Sequence, residues 1–228
     1  MTMYCIRKSI CVFCFFMGNI VLGQDNFTGF WESDIALNYT VFNNYSHNFK
    51  VSQRSYTYDE KLDVRIRQID LVHFSNVKIS GNQSIALGVQ YRFRNTFEAD
   101  RENELRFTQQ YNITSRSRNI RFGHRVRSEQ RINKSLTTHR FRYRFALDFP
   151  LQGEQLDVGE AYLVTSTESL LSVARANASE YDQRFTANIG WLLHENTKLQ
   201  AGLEYRFEDY THRTENILFV LTSLVFSL

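Results

Sequence analysis

The chain has 228 residues, of which 27 are basic and 24 are acidic, and its formal net charge at pH 7 is +3. A chain this close to neutral has no global electrostatic attraction for nucleic acid, so we expect no nucleic-acid partner. Its single proline, Pro150, leaves backbone pairing between strands almost uninterrupted.

The first 23 residues differ in kind from the rest and predict a cleaved secretory signal peptide. Arg7 and Lys8 precede a mostly apolar stretch over residues 10–20, and compact residues follow up to Gly23. A membrane anchor is the alternative, but this stretch is shorter than the roughly 20 apolar residues that a spanning helix needs.

Cleavage at this point would remove every cysteine of the chain, namely Cys5, Cys11 and Cys14. Residues 24–228 would then have 25 basic and 24 acidic residues, a net charge of +1. They could form no disulfide, thiolate nucleophile or cysteine metal site.

Strict alternation of apolar and polar residues dominates residues 24–228. Ile85, Leu87 and Val89 face one way while Gln90 and Arg92 face the other, and the pattern returns over 140–149 and 199–208. Side chains on a strand switch sides at every residue, so each segment has one apolar and one charged face. Many such strands favour a single antiparallel transmembrane β-barrel with lipid outside and water inside. The candidate strands are 28–43, 45–57, 62–79, 83–97, 103–115, 118–131, 136–149, 159–171, 181–194, 197–210 and 215–228.

Eleven candidates conflict with the even strand numbers of bacterial single-chain barrels, so we predict twelve strands in preference to ten. The miscounted region would be 27–41 or 62–79. Within 62–79 the alternation of apolar residues shifts by one position between Ile66 and Ile69, as it does at a β-bulge.

The connections alternate in length, which is typical of short periplasmic turns and longer external loops. Turns at 43–44, 80–82, 115–117 and 194–196 are short, and the polar links 58–61, 95–103, 175–180 and 209–215 are longer. The segment 151–159 is an exception, since it is long on the predicted periplasmic side.

Arginine is abundant on the predicted inner face. Rings of arginine select anions, so one reading is a small passive channel for anionic solutes. The other, which we favour, is a lumen plugged by paired charges, because narrow barrels fill their interior with side chains. The wider inner set also includes Arg65, Arg67, Arg106, Arg121, Arg125, Arg127, Glu104, Glu129 and Glu208. The predicted lumen charge network comprises Arg92, Arg94, Arg140, Arg142, Arg144, Asp148, Glu168, Asp182, Arg184, Glu204 and Arg206.

No catalytic residue, metal site or cofactor site is predicted. His124 and Ser128 share a strand face but lie about 13 Å apart, too far for proton transfer. His139 could still meet a serine across strands. An outer-membrane lipase or deacylase therefore remains the alternative to a non-enzymatic barrel. A soluble periplasmic β-sheet binding protein, with one strand face covered by protein, is the third possibility.

The last strand alternates up to Leu228, and Leu224, Phe226 and Leu228 form a predicted assembly signal. We therefore expect the barrel assembly machinery and outer-membrane lipid as partners.

Four stretches carry a family resemblance: "RYRFALDFPL" at 142–151, "EAYLVTSTESLL" at 160–171, "YDQRFTANIGWLLHENTKLQAGLEYRF" at 181–207, and the final strand. The chain resembles the bacterial outer-membrane family known as domain of unknown function 2490. The resemblance implies one barrel domain over 24–228 in the outer membrane, and it implies no activity. It also implies recurrent inward polar residues at Arg142, Arg144, Glu168, Asp182 and Arg184.

Overall fold

A computed structural model of the chain describes residues 26–175 and 177–228, and in them eleven β-strands form one closed barrel. The predicted signal peptide lies outside these residues. Within them, no helix is long and apolar enough to cross a membrane. The strands are β1 (Phe27–Phe42), β2 (Tyr45–Asp59), β3 (Lys61–Ser80), β4 (Gln83–Phe93), β5 (Glu104–Ser117), β6 (Ile120–Ile132), β7 (Thr137–Pro150), β8 (Ala161–Ala174), β9 (Glu180–His194), β10 (Thr197–Glu208) and β11 (Glu215–Ser227).

Each strand pairs antiparallel with the next along the chain, and a parallel seam between β1 and β11 closes the barrel. The seam pairs Phe27 with Asn216 at one end and Asn38 with Ser227 at the other. It continues to Leu228, whose backbone N–H donates to the Asn38 carbonyl at 2.8 Å.

The prediction of twelve strands is therefore wrong for the described residues. The even-number rule assumes that the first and last strands run in opposite directions and close an antiparallel seam. In a meander with an odd number of strands these two run in the same direction, so the barrel closes by parallel pairing instead.

The outer face is apolar and the inner face is polar, as the alternation predicts. On β4, the outer Leu87 is 66% exposed whereas the inner Ala86 and Arg92 are 3% and 8% exposed.

The predicted bulge in β3 is confirmed as a register shift against β2. Arg54 pairs with Gln68 and Ser55 with Ile66, which leaves Arg67 as the extra residue. This bulge keeps the apolar residues before and after it on the same outer face.

The connections define two rims. The short-turn rim has two-residue turns at 43–44, 81–82, 118–119 and 195–196, together with the long loop 151–160. The long-loop rim carries Glu60 and the connections 94–103, 133–136, 175–179 and 209–214. The predicted long link 58–61 is wrong, because β2 and β3 are joined through Glu60 alone, in a left-handed conformation with φ of 60°.

An aromatic cluster lies inside the barrel against the seam, towards the long-loop rim. Phe30 on β1 and Phe219 on β11 are 1% and 0% exposed, and their ring centroids are 5.1 Å apart. Tyr56 packs on Phe30 with centroids 4.8 Å apart, and Ile217 completes the buried cluster. The inner face of β11 is thus apolar where the other inner faces carry charge.

Candidate functional site

Ion pairs join neighbouring strands across the inner face. From β3 to β6 they run from Asp70 to Arg92 at 2.8 Å, from Arg92 to Glu104 at 3.9 Å, and from Glu104 to Arg131 at 3.1 Å. Each pair lies between adjacent strands, so the charges follow the wall around the lumen.

The ion pairs continue from β6 to β10. Arg142 on β7 lies 2.8 Å from Glu129 on β6 and also pairs with Glu168 on β8. Arg184 on β9 lies 4.0 Å from Glu168 and 3.6 Å from Glu208 on β10. Every pair of neighbouring strands from β3 to β10 is therefore bridged by oppositely charged side chains.

Most of the carboxylates on the inner face are buried, which makes their ion pairs structurally important. Glu129 is 2% exposed and Asp182 is 3% exposed. An isolated charge is costly in such surroundings, whereas a charge with a close partner and hydrogen bonds is tolerated. We use the name charge network for Asp70, Arg92, Glu104, Arg106, Arg127, Glu129, Arg131, Arg140, Arg142, Glu168, Asp182, Arg184, Glu204, Arg206 and Glu208.

Cationic side chains also connect the charge network to the aromatic cluster. The guanidinium carbon of Arg206 lies 3.8 Å from the centroid of the Phe219 ring, and that of Arg54 lies 4.7 Å from it. The two arginines keep carboxylate partners as well, since Arg206 contacts Glu204 and Arg54 contacts Glu32, both at 2.5 Å. Towards the long-loop rim, cations therefore stack on the aromatic rings of the seam side.

A cavity of about 570 Å³ lies beside the charge network. Charged side chains at mid-barrel line one part of it, and uncharged polar side chains such as Asn38, Asn48, Asn76 and Asn188 line another. Asn38 and Asn76 lie near the ends of β1 and β3 that meet the short-turn rim. The cavity thus extends from the charge network towards that rim.

A family model described as "Protein of unknown function (DUF2490)" matches residues 28–216. The chain belongs to this family. No curated protein matches it.

Three solved chains match this DUF2490 barrel. One is described as "Crystal structure of the siderophore receptor PirA from Pseudomonas aeruginosa", at 15% sequence identity and a TM-score of 0.30. The match covers 76% of this chain and 34% of the receptor, so the chain spans about a third of that protein's length. A likeness this weak carries no argument about function.

The structure brings most of the predicted network residues of this DUF2490 chain together. Arg92, Arg140, Arg142, Glu168, Asp182, Arg184, Glu204 and Arg206 all belong to the charge network. The other three lie elsewhere: Arg94 at the long-loop rim, Asp148 towards the short-turn rim, and Arg144 on the cavity wall, with no carboxylate of the described residues within 4.0 Å.

Arg94 and Asp148 are each engaged locally at their own rim. Asp148 accepts a hydrogen bond at 2.7 Å from Arg121, whose side chain is 60% exposed. Arg94 donates at 2.7 Å to Glu98 in the loop 94–103, and Tyr56 donates to the same carboxylate at 2.8 Å. Burial raises the pKa of Glu98, but these hydrogen bonds outweigh it and hold the pKa below its usual value. The loop thus places an ionised carboxylate in the long-loop mouth of the lumen.

Seven members of the charge network are not in the predicted network: Asp70, Glu104, Arg106, Arg127, Glu129, Arg131 and Glu208. Alternation places Glu104, Glu129 and Glu208 on the inner face, but only the cross-strand register reveals their partners. Glu98 carried no usable signal, because it lies in a connection where alternation does not apply.

On the outer face of this DUF2490 barrel a serine and two histidines meet across β2 and β3. The Nδ1 of His47 lies 3.4 Å from the Ser75 hydroxyl and 3.0 Å from the Nε2 of His73. One nitrogen therefore makes both contacts. A serine hydrolase uses one ring nitrogen to take the serine proton and the other to hold the orienting group. The arrangement of His47, His73 and Ser75 therefore differs from that of a serine hydrolase.

Among the described residues, no group of three or more His, Cys, Asp or Glu side chains is placed to hold a metal ion.

Proposed function

We propose that this protein is a non-enzymatic β-barrel of the bacterial outer membrane whose lumen is closed to the flow of solutes. The charge network is the observation that supports a closed lumen. It bridges neighbouring strands from β3 to β10 and meets the aromatic cluster at the seam. The role is that of an envelope protein with a closed lumen, in place of an open porin.

The outer surface supports the membrane location. Outer side chains on widely separated strands are largely exposed, among them Val126 at 55%, Phe185 at 50% and Leu203 at 52%. Soluble proteins rarely leave a continuous apolar surface of this extent in water. A lipid environment would cover it, and no second layer of the described chain does so.

Fractionation of native cells is expected to place the protein in the outer membrane. The folded barrel should also migrate faster on a denaturing gel before boiling than after, because hydrogen bonding around a closed sheet resists detergent. Recovery in the soluble periplasm, with no change in mobility on boiling, would contradict the membrane location and favour a soluble β-sheet binding protein.

Refolded protein is expected to produce no discrete conductance steps in a planar lipid bilayer. We expect this result because paired charges and stacked rings crowd the inner face, and a narrow barrel has limited interior once arginine side chains enter it. The same preparation must show the heat-dependent gel mobility, so that the absence of conductance steps can be assigned to a folded barrel. Reproducible steps of either ion selectivity would contradict the closed lumen.

A further inference from the structure

Two arginines in the cavity differ from all its other cationic side chains. Ten basic side chains line the cavity, against five acidic ones. Eight of the ten have a carboxylate oxygen of the described chain within 4.0 Å. Arg125 and Arg144 have no such partner among the described residues.

These two arginines face each other directly. Arg125 on β6 and Arg144 on β7 occupy the same pairing position of the two strands. Like charges placed opposite each other on adjacent strands repel and destabilise the pair. An arrangement of this kind is stabilised when an anion lies between the two guanidinium groups.

Most of their hydrogen-bonding capacity is also unused within the described residues. The Nε of Arg144 is buried and has no hydrogen-bond partner in the described chain. The Nε of Arg125 donates to the side-chain oxygen of Asn112 at 3.3 Å, a long contact. A guanidinium has five N–H donors in a planar fork, and this fork suits the oxygens of a phosphate or a carboxylate.

We propose that Arg125 and Arg144 form a binding site for the phosphate group of a small solute that enters the cavity from the short-turn rim. The cavity volume lies within the range of small-molecule sites, and its uncharged polar wall leads towards that rim. Each arginine donates to the bound oxyanion, which neutralises the repulsion between them. This inference goes beyond the closed barrel proposed above, since a solute can bind in the cavity without a path through the barrel.

The test is calorimetric titration of the refolded full-length protein in detergent with inorganic phosphate, in a buffer without other oxyanions. Wild-type protein is expected to bind one phosphate saturably. Arg144→Gln and Arg125→Gln are each expected to raise Kd about tenfold or more, because each removes charge-assisted hydrogen bonds to the anion. Arg121→Gln is the matched control, since Arg121 lies on β6 but pairs with Asp148 away from the cavity, and its Kd should match that of the wild type.

Thermal unfolding provides a second measurement that does not depend on heats of binding. Phosphate should raise the Tm of the wild type and of Arg121→Gln but not that of Arg144→Gln. Without phosphate, Arg144→Gln should be at least as stable as the wild type because it relieves the repulsion between the two arginines.

Glycerol phosphate and succinate are titrated in parallel. Tighter binding of succinate would mean that the site recognises a carboxylate in place of a phosphate, and it would overturn the proposal. Absence of saturable phosphate binding to the wild type, or equal Kd values in all variants, would also overturn it. Conductance is measured separately, so an absence of phosphate binding would not contradict the proposed closed lumen.

Discussion

Replacement of Arg142 by glutamine is expected to destabilise the barrel by about 3–5 kcal/mol, the range for removing one partner of a buried ion pair. Arg142 lies 2.8 Å from Glu129 and also pairs with Glu168, and these carboxylates are 2% and 8% exposed. Glutamine at this position leaves the carboxylates of Glu129 and Glu168 without their closest cation. Their remaining partners are more distant, namely Arg127 at 3.3 Å and Arg184 at 4.0 Å.

The loss is measured as the free energy of unfolding in urea, with the heat-dependent gel mobility reporting the folded fraction. Arg121→Gln serves as the control, because its ion pair with Asp148 is solvent-exposed and such pairs contribute about 1 kcal/mol or less. Addition of Glu168→Gln to the Arg142→Gln variant should restore part of the stability by removing one unpaired charge. Equal stability of the Arg142→Gln and Arg121→Gln variants would mean that the charge network does not hold the barrel together.

Replacement of Phe219 by alanine is expected to destabilise the barrel by about 3–5 kcal/mol, the range for truncating a buried phenylalanine. The Phe219 ring is fully buried, packs on Phe30 and lies under the guanidinium groups of Arg206 and Arg54. Alanine removes the contact that joins the inner faces of β1 and β11, and it leaves a cavity at the seam.

The matched control is Phe226→Ala on the same strand, since Phe226 lies on the outer face and is 36% exposed. Urea unfolding of both variants in the same detergent gives the comparison. We expect the Phe219→Ala variant to show a clearly larger loss. A larger loss for Phe226→Ala would mean that detergent or lipid contacts outweigh the aromatic cluster in holding the seam.

Alternation along the chain was enough to predict the strands and their faces. The predicted strands 45–57 and 197–210 correspond to β2 and β10 within two residues at each end. A side-chain period of two is a local property, and the single proline of the chain lies at the end of β7. The predicted end of β4 at 97 is wrong by four residues, because the chain turns back at Arg94 into a loop held by Asn103.

Pairing between strands could not be predicted in the same way. Which carboxylate meets Arg92 depends on the register of β3 against β4, which turn lengths and bulges set. The same limit applies to the cavity. That Arg144 faces inward follows from its position in β7. That no carboxylate of the described residues lies within 4.0 Å of it follows only from the positions of all its neighbours.

The parallel seam makes barrel closure the one long-range event in the assembly of this wall. Trp31 on β1 and Thr222 on β11, which share a hydrogen bond at 3.1 Å, are 191 positions apart in the sequence. Every other strand pair joins chain neighbours, so its loop-closure entropy is small and it can form early. Until β1 meets β11, both strands have open edges that can pair with other chains. The late step in folding is therefore also the step most exposed to aggregation, and a factor that shields these two edges would act at this point.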